Sequence, residues 1–181
     1  MDVKGIHRRL VASRAALNAM SVPARSGVYA IFLRAEAQFP IEMTTADRII
    51  YVGSSIDLAT REYSNHFSST GTGFSTLRRS VGALLKEKLS LSAIPRGSGG
   101  TESNYTNYRF EAAGEDRLTK WMETNLEVSV CPVDGDLESV EQTLITALEP
   151  VLCLKGWENP YAKSIKASRK TCADEARKAR A

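Results

Sequence analysis

Two short apolar runs, each with a tyrosine close to a glycine, most constrain what this chain can fold into. The first is Gly27–Leu33 (GVYAIFL), and the second is Ile49–Gly53 (IIYVG). Apolar side chains occupy both alternating positions of the first run, which is typical of a central strand with both faces covered. The polar residues 34–47 between the runs predict a long hairpin loop. We therefore expect two neighbouring antiparallel strands over 27–33 and 48–52.

Helical and strand patterns follow one another along the remaining sequence. Helices are predicted over residues 5–20, 58–67, 76–89, 115–124, 137–148 and 161–180, and further strands over 105–111 and 126–133. The fold class expected is α/β, with a small, mainly antiparallel sheet of about three core strands flanked by helices. The domain division expected is an N-terminal helical arm (1–24), a central domain (25–154) and a basic C-terminal helix (155–181).

Composition is typical of a soluble globular chain, with 43% hydrophobic and 25% charged residues among 181. No apolar run is long enough for a transmembrane helix, and the N-terminus lacks a secretory signal pattern. Three widely spaced cysteines, Cys131, Cys153 and Cys172, indicate neither a disulfide framework nor a structural zinc site. A cytoplasmic location is therefore expected.

Positive charge is concentrated at the C-terminus. Residues 160–181 carry a net charge of +5, whereas residues 1–159 carry −2. A basic segment on a nearly neutral body fits a polyanionic partner. The alternative is an ordinary solvated surface helix.

Glu141 is the most informative single residue. On the predicted 137–148 helix it lies one turn before Leu144 and Ile145, so it belongs within or beside the apolar stripe. A carboxylate in that position needs a cation, a metal or hydrogen bonds. The structural alternatives are that Glu141 reaches water at the border of the stripe or pairs with an arginine.

Four further residues are candidates for chemistry, and each has a structural alternative. Tyr29 and Tyr51 lie in adjacent predicted strands, where tyrosines are also common as core residues. Arg61 lies early in a short predicted helix, where it could form a surface ion pair. His66 could simply border the core.

Taken in order, these residues resemble the motifs of the GIY-YIG nuclease superfamily. The two motif tyrosines match Tyr29 and Tyr51, and the glycine of the second motif matches Gly53. The helix arginine matches Arg61, and the metal-binding glutamate matches Glu141 in Glu-x-x-Leu-Ile. The resemblance implies a small central antiparallel sheet with flanking helices and divalent-metal-dependent endonuclease activity.

Two positions depart from the family pattern. Four residues after the arginine, where the family commonly has histidine or tyrosine, this chain has Asn65; His66 follows, and Tyr63 could substitute. The asparagine that usually braces the site is replaced by Cys153.

Phosphodiester hydrolysis suits these residue types. Arg61 is a permanent planar cation for phosphoryl oxygens, and Glu141 can hold one Mg²⁺ or Mn²⁺. Tyr29 or Tyr51 would position or deprotonate the attacking water, as the family assigns to these tyrosines. His66, if it reaches the site, could act as base or proton shuttle.

DNA is the expected partner. The residues predicted to contact its phosphates are Arg78, Arg79, Lys166, Arg169 and Lys170. We expect a metal-dependent DNA endonuclease; the alternatives are a nucleic-acid-binding module with weak or lost cleavage and a partner-binding α/β domain that binds no nucleic acid. The DNA target, the biological role and the oligomeric state stay open.

Overall fold

The fold is taken from a computed structural model that describes residues 2–16, 19–20, 22–60, 66 and 71–179. The chain divides into two compact units. The first comprises Met1–Tyr63 and Glu123–Pro160, and the second comprises Ser64–Met122 and Tyr161–Ala181. The predicted division into 1–24, 25–154 and 155–181 stays a prediction.

The first unit is built on a four-stranded sheet. Its strands are β1 (Ala15–Ala16), β2 (Gly27–Leu33), β3 (Ile49–Ser55) and β6 (Leu126–Pro132), in the order β1-β6-β2-β3 with antiparallel pairing throughout. Three helices accompany this sheet: α1 (Val3–Ala12), the short α2 (Leu58–Thr60) and α6 (Leu137–Leu148). A small antiparallel sheet flanked by helices confirms the predicted α/β class.

β2 is the central strand, and the sequence pattern predicted its bounds. It pairs with β6 on one side and β3 on the other, and all seven of its residues are buried. Side chains from alternating positions, Val28, Ala30 and Phe32, join the hydrophobic cluster that α6 covers. β2 is buried because strands occupy both of its edges and side chains pack on both of its faces.

The second unit contains mostly helices. A 3₁₀ turn (Thr72–Phe74) precedes α3 (Thr76–Leu84), and α4 (Glu102–Thr106) and α5 (Ala112–Asn125) follow, with the last three residues of α5 in the first unit. The two-residue strands β4 (Ala93–Ile94) and β5 (Arg109–Phe110) pair with each other, and α7 (Ala162–Lys178) packs on α3, α4 and β4. None of the helices within the described ranges is long and apolar enough to cross a membrane.

Side-chain caps explain where three helices begin. The carboxylate of Asp2 accepts a hydrogen bond from Gly5 N at 2.7 Å, and that of Asp136 accepts one from Ser139 N at 3.1 Å. The hydroxyl of Ser75 accepts from Arg78 N at 3.1 Å. Each cap satisfies a backbone N–H that lacks a partner within its helix.

Several element predictions were wrong in their bounds. The helix predicted over 76–89 ends at Leu84, and most of the helix predicted over 58–67 lies outside the described residues. The helix predicted over 5–20 ends at Ala12, because Ala15 and Ala16 extend to pair with Val128 and Glu127 of β6. The strand predicted over 105–111 is reduced to Arg109–Phe110. The hydroxyl of Thr101 accepts from Asn104 N at 3.3 Å and starts α4 where strand alternation had been predicted.

Candidate active site on strand β3

Tyr29 and Tyr51 meet on neighbouring strands. Their ring centroids are 6.1 Å apart and the ring planes differ by 28°. Tyr29 is only 1% exposed, whereas Tyr51 is half-buried. The two stacked tyrosines therefore differ in burial, since Tyr29 is buried and Tyr51 is half-buried.

Gly53 makes room for Tyr29. The two residues lie opposite each other in the β2–β3 ladder. A Cβ added at Gly53 would lie 2.4 Å from the Tyr29 hydroxyl oxygen. A side chain at this position would displace the phenol, so the glycine of the second motif is a packing requirement.

Gly27 has the same function at the start of β2. An added Cβ there would lie 2.4 Å from the carbonyl oxygen of Cys131 and 2.9 Å from Leu58 Cδ1. Glycine therefore lets β6 and α2 pack closely against the strand that carries Tyr29.

Glu141 lies on α6 at the border of its buried face. Leu144, Ile145 and Leu148 are buried, Glu141 is half-buried and Glu138 is exposed, as the periodicity predicted. The hydroxyl of Ser54 donates a hydrogen bond to Glu141 Oε2. Among the described residues, the partner of this carboxylate is therefore a serine at the end of β3.

Cys153 contacts the outer edge of β3. Val52 N donates to the sulfur at 3.4 Å, and the thiol donates to Val52 O at 3.3 Å. Leu152 N adds a backbone hydrogen bond to Ile50 O at 2.8 Å. An asparagine amide also combines an acceptor with donors, so an asparagine at this position could form the same pair of hydrogen bonds.

The thiol of Cys153 is held in its neutral form. Burial raises its pKa to about 12, and the nearby charge of Glu141 also raises it, against the opposing effect of the Val52 hydrogen bond. A neutral thiol retains the S–H that donates to Val52 O.

β3 carries one of the stacked tyrosines and the serine that contacts the carboxylate. Tyr51 and Ser54 both belong to this strand, and Tyr51 also packs against the cluster that contains Leu144 and Ile145 of α6. Residues 27–175 match the model of the GIY-YIG catalytic domain. The chain belongs to the GIY-YIG nuclease superfamily. Searches among curated proteins and among solved structures gave no significant match.

Membership of the GIY-YIG superfamily supports a nuclease-type function in general. In this chain the glycines at 27 and 53 each accommodate close packing around a tyrosine-bearing strand. The matched region continues into α7, whose helix spans Ala162–Lys178.

Arg61, which the sequence analysis matched to the helix arginine, lies outside the described residues, as do Tyr63 and Asn65. His66 is described and belongs to the second unit. Its side chain is fully buried, with Nδ1 at 2.7 Å from Ser75 Oγ, and its carbonyl accepts from Arg78 Nη1 at 3.3 Å. These are contacts of an interior residue, and a catalytic role for His66 stays a prediction.

The prediction that Arg78 contacts phosphates is wrong, because Arg78 is completely buried. Its Nη2 lies 2.7 Å from Glu115 Oε2 and 3.0 Å from Thr119 Oγ1, and Nε donates to Thr72 Oγ1 at 3.0 Å. Burial lowers the pKa of the guanidinium, and Glu115 opposes that shift. Arg78 precedes Val81 by three residues and Leu85 by seven, a helical spacing from which its burial could have been inferred.

Arg79 is also an interior residue, and the prediction that it contacts DNA is likewise wrong. It is 6% exposed, and its Nη1 donates to the carbonyl oxygens of Thr72 and Gly73 at 3.3 and 3.0 Å. Both arginines stabilise the 3₁₀ turn before α3 from within.

Of the residues predicted to contact phosphates, the exposed ones lie on α7. Lys163, Lys166 and Lys170 are exposed, and Arg169 is half-buried. Lys170 Nζ lies 2.5 Å from Asp174 Oδ2 on the same helix. The three lysines follow helical spacing, so they share one face.

The carboxylate of Glu141 offers oxygen donors that suit a hard divalent cation. The described ranges contain no group of three or more His, Cys, Asp or Glu residues that could hold a metal. A single carboxylate oxygen suits Mg²⁺ or Mn²⁺, hard cations that keep several waters and take further ligands from a substrate phosphate.

Proposed function

We propose that this chain is a divalent-metal-dependent endonuclease that hydrolyses DNA phosphodiester bonds at a single-metal GIY-YIG site. The observation that carries the proposal is the arrangement along β3. Tyr51 of this strand stacks on Tyr29, and Ser54 of the same strand holds the carboxylate of Glu141. A half-buried phenol that could orient the water and a carboxylate that could hold the metal are two of the groups that hydrolysis needs.

Tyr51 is the better candidate for contacting the attacking water. It is half-buried, whereas Tyr29 is 1% exposed and has its hydroxyl above Gly53. In this assignment Tyr51 orients the water and accepts its proton, and Tyr29 holds the ring of Tyr51 in place. A phenol ordinarily titrates near pH 10, and nearby positive charge favours its phenolate form.

Glu141 would hold one Mg²⁺ or Mn²⁺ through a carboxylate oxygen. When bound, the ion supplies polarisation of the phosphate and neutralisation of the departing oxygen. We propose that Arg61 stabilises the negative charge that develops on the phosphoryl oxygens, because a guanidinium is permanently charged and can donate two parallel hydrogen bonds.

DNA binding is assigned to the lysine face of α7. Lys163, Lys166 and Lys170 offer exposed ammonium groups on one side of a helix. Such groups contact phosphates without reading base sequence, so they provide affinity and no target preference.

The test is cleavage of supercoiled plasmid and of branched DNA with Mg²⁺, with Mn²⁺ and with EDTA. Glu141→Gln is compared with Glu138→Gln, since both carboxylates lie on α6 but only Glu138 is exposed. We expect Glu141→Gln to lower the cleavage rate by about 100-fold or more while DNA retention on a gel is unchanged. Glu138→Gln should cleave at the wild-type rate.

Retention of DNA without cleavage in the presence of either metal would contradict the endonuclease proposal and support the alternative of a nucleic-acid-binding module. Equal rates for the two glutamate variants would remove Glu141 as the metal ligand.

A further inference from the structure

We propose that Ser54 is a positioning residue that holds Glu141 through Oε2, so that Oε1 alone binds the cation. This inference rests on the proposed metal-dependent function. Its basis is the hydrogen bond from the Ser54 hydroxyl to Glu141 Oε2. An ionised carboxylate only accepts hydrogen bonds, so the serine must be the donor.

Glu141 has two carboxylate oxygens, and the described contacts use one of them. The hydrogen bond from Ser54 goes to Oε2, and within the described part of the chain no hydrogen bond goes to Oε1. The hydrogen bond fixes the plane and rotamer of a long side chain that would otherwise sample several orientations. A cation therefore meets one oxygen at a defined position.

The serine comes from a rigid part of the strand. Ser54 pairs with Val28 of the buried β2, and the backbone N–H and C=O of Val52, two residues earlier, both form hydrogen bonds with Cys153. The carboxylate comes from α6, which is anchored by the buried side chains of Leu144 and Leu148. Two anchored elements thus meet at one hydrogen bond, which is how protein sites keep ligand geometry narrow.

One-oxygen binding has a consequence for metal choice. Ca²⁺ commonly takes carboxylates through both oxygens at 2.3–2.6 Å, whereas Mg²⁺ prefers near-octahedral geometry at about 2.0–2.1 Å and keeps its waters. Two-oxygen binding by Glu141 would require Oε2 to leave Ser54. Ser54 thereby favours small hydrated cations over Ca²⁺.

The experiment measures metal binding directly, on the full chain without DNA. Mn²⁺ binding is followed by the loss of its free-ion electron paramagnetic resonance signal in wild type, Ser54→Ala, Ser54→Thr and Ser55→Ala. Ser55 is the matched control, because its hydroxyl contacts the backbone of Asp57 at 2.7 Å instead of a carboxylate. Competition with Mg²⁺ and with Ca²⁺ is measured on the same samples.

We expect Ser54→Ala to weaken Mn²⁺ binding by about 10-fold or more, the usual effect of removing a group that orients a metal ligand. Ser54→Thr keeps the hydroxyl and should restore most of the affinity, and Ser55→Ala should bind as wild type. Ser54→Ala should also raise the affinity for Ca²⁺ relative to Mg²⁺. In the Glu141→Gln background, Ser54→Ala should cause no further loss, because its effect passes through that carboxylate.

Wild-type affinity in Ser54→Ala, or an equal further loss in the Glu141→Gln background, would overturn the positioning role. If plasmid cleavage by the wild type persists in that case, the proposed function stands without this inference. If the wild type neither binds Mn²⁺ nor cleaves DNA, both proposals fail. Thermal unfolding of each variant shows whether a loss of Mn²⁺ affinity comes from unfolding. If Ser54→Ala is unfolded, the Mn²⁺ affinity of Ser54→Thr tests the positioning role instead.

Discussion

Cys153 hydrogen-bonds both backbone polar groups of Val52, with Val52 N 3.4 Å and Val52 O 3.3 Å from its sulfur. This brace acts on the outer edge of β3, between Tyr51 and Ser54. The two groups that we assign to water activation and to metal positioning therefore depend on one thiol for their strand geometry.

Replacement of Cys153 tests this brace. Cys153→Ala removes both sulfur hydrogen bonds and leaves a small void, so we expect a loss of about 1–3 kcal/mol in the free energy of unfolding. Cys153→Asn supplies an amide that can accept from Val52 N and donate to Val52 O, and it should keep the wild-type cleavage rate or exceed it. Urea unfolding and plasmid nicking measure the two effects. An alanine variant as stable and active as wild type would show that the brace is dispensable.

The ionisation of Cys153 should make the free energy of unfolding depend on pH in the alkaline range. Burial raises the pKa of Cys153 from 9.0 to about 12 in the folded chain. Above pH 9 the unfolded chain releases this proton while the folded chain retains it, so stability falls as the pH rises towards 12. Cys153→Ser lacks this titration, so its unfolding free energy should fall less steeply over the same range.

The pH comparison is internally controlled, because Cys172, whose pKa is raised to about 11, is present in both proteins. Parallel stability profiles for wild type and Cys153→Ser would contradict the raised pKa of Cys153.

Gly53→Ala should disturb the tyrosine pair. The added methyl would meet the Tyr29 hydroxyl oxygen at 2.4 Å inside a buried ladder, so the ring or the strand must move. Overpacking of this kind costs about 1–3 kcal/mol, and we expect cleavage to fall with it. Gly73→Ala is the control, since its methyl would meet the flexible side chain of Arg96 at 3.0 Å. Equal unfolding midpoints for the two variants would contradict the close approach at Gly53.

The buried Arg78–Glu115 pair should be essential for folding and irrelevant to DNA contact. Arg78→Met leaves Glu115 buried without its cation, which costs about 3–5 kcal/mol when a buried pair loses one partner. Arg78→Met combined with Glu115→Leu removes both charges and should recover part of that loss. Breaking the exposed Arg177–Glu102 pair by Arg177→Met should have a much smaller effect.

A DNA-binding measurement on the double variant distinguishes a structural role of Arg78 from the phosphate contact that was predicted for it. The folded fraction of the double variant should bind DNA with the wild-type salt dependence. A shallower salt dependence of DNA affinity in the double variant would show that Arg78 contacts DNA phosphates.

The lysine face of α7 should control DNA affinity. A triple Lys→Gln variant at 163, 166 and 170 is compared with a triple Lys→Gln variant at the exposed positions 4, 88 and 155, which changes the net charge equally. Removing one lysine–phosphate interaction lowers the slope of log K against log salt by about 0.9 for duplex DNA. The slope should fall for the α7 variant and stay near wild type for the control, as measured by fluorescence anisotropy. Equal slopes for the two triple variants would show that the net charge of the protein, and not the lysine face of α7, controls DNA affinity.

Local periodicity was enough to predict β2, β3, β6 and α6, and to place Glu141 at the edge of a buried helix face. Hydrophobic spacing reports which side of each element is covered, because burial repeats with the period of a strand or a helix. The order of the motif residues was likewise enough to predict the family.

The partners of those residues were decided only by the tertiary structure. Ser54 and Glu141 are 87 positions apart, and Cys153 and Val52 are 101 apart. Arg78, expected on the surface, is buried because Glu115 and the turn at Thr72 surround its guanidinium with acceptors. Local sequence determines which face of an element is apolar, but strand register and helix packing determine which distant polar groups meet at its border.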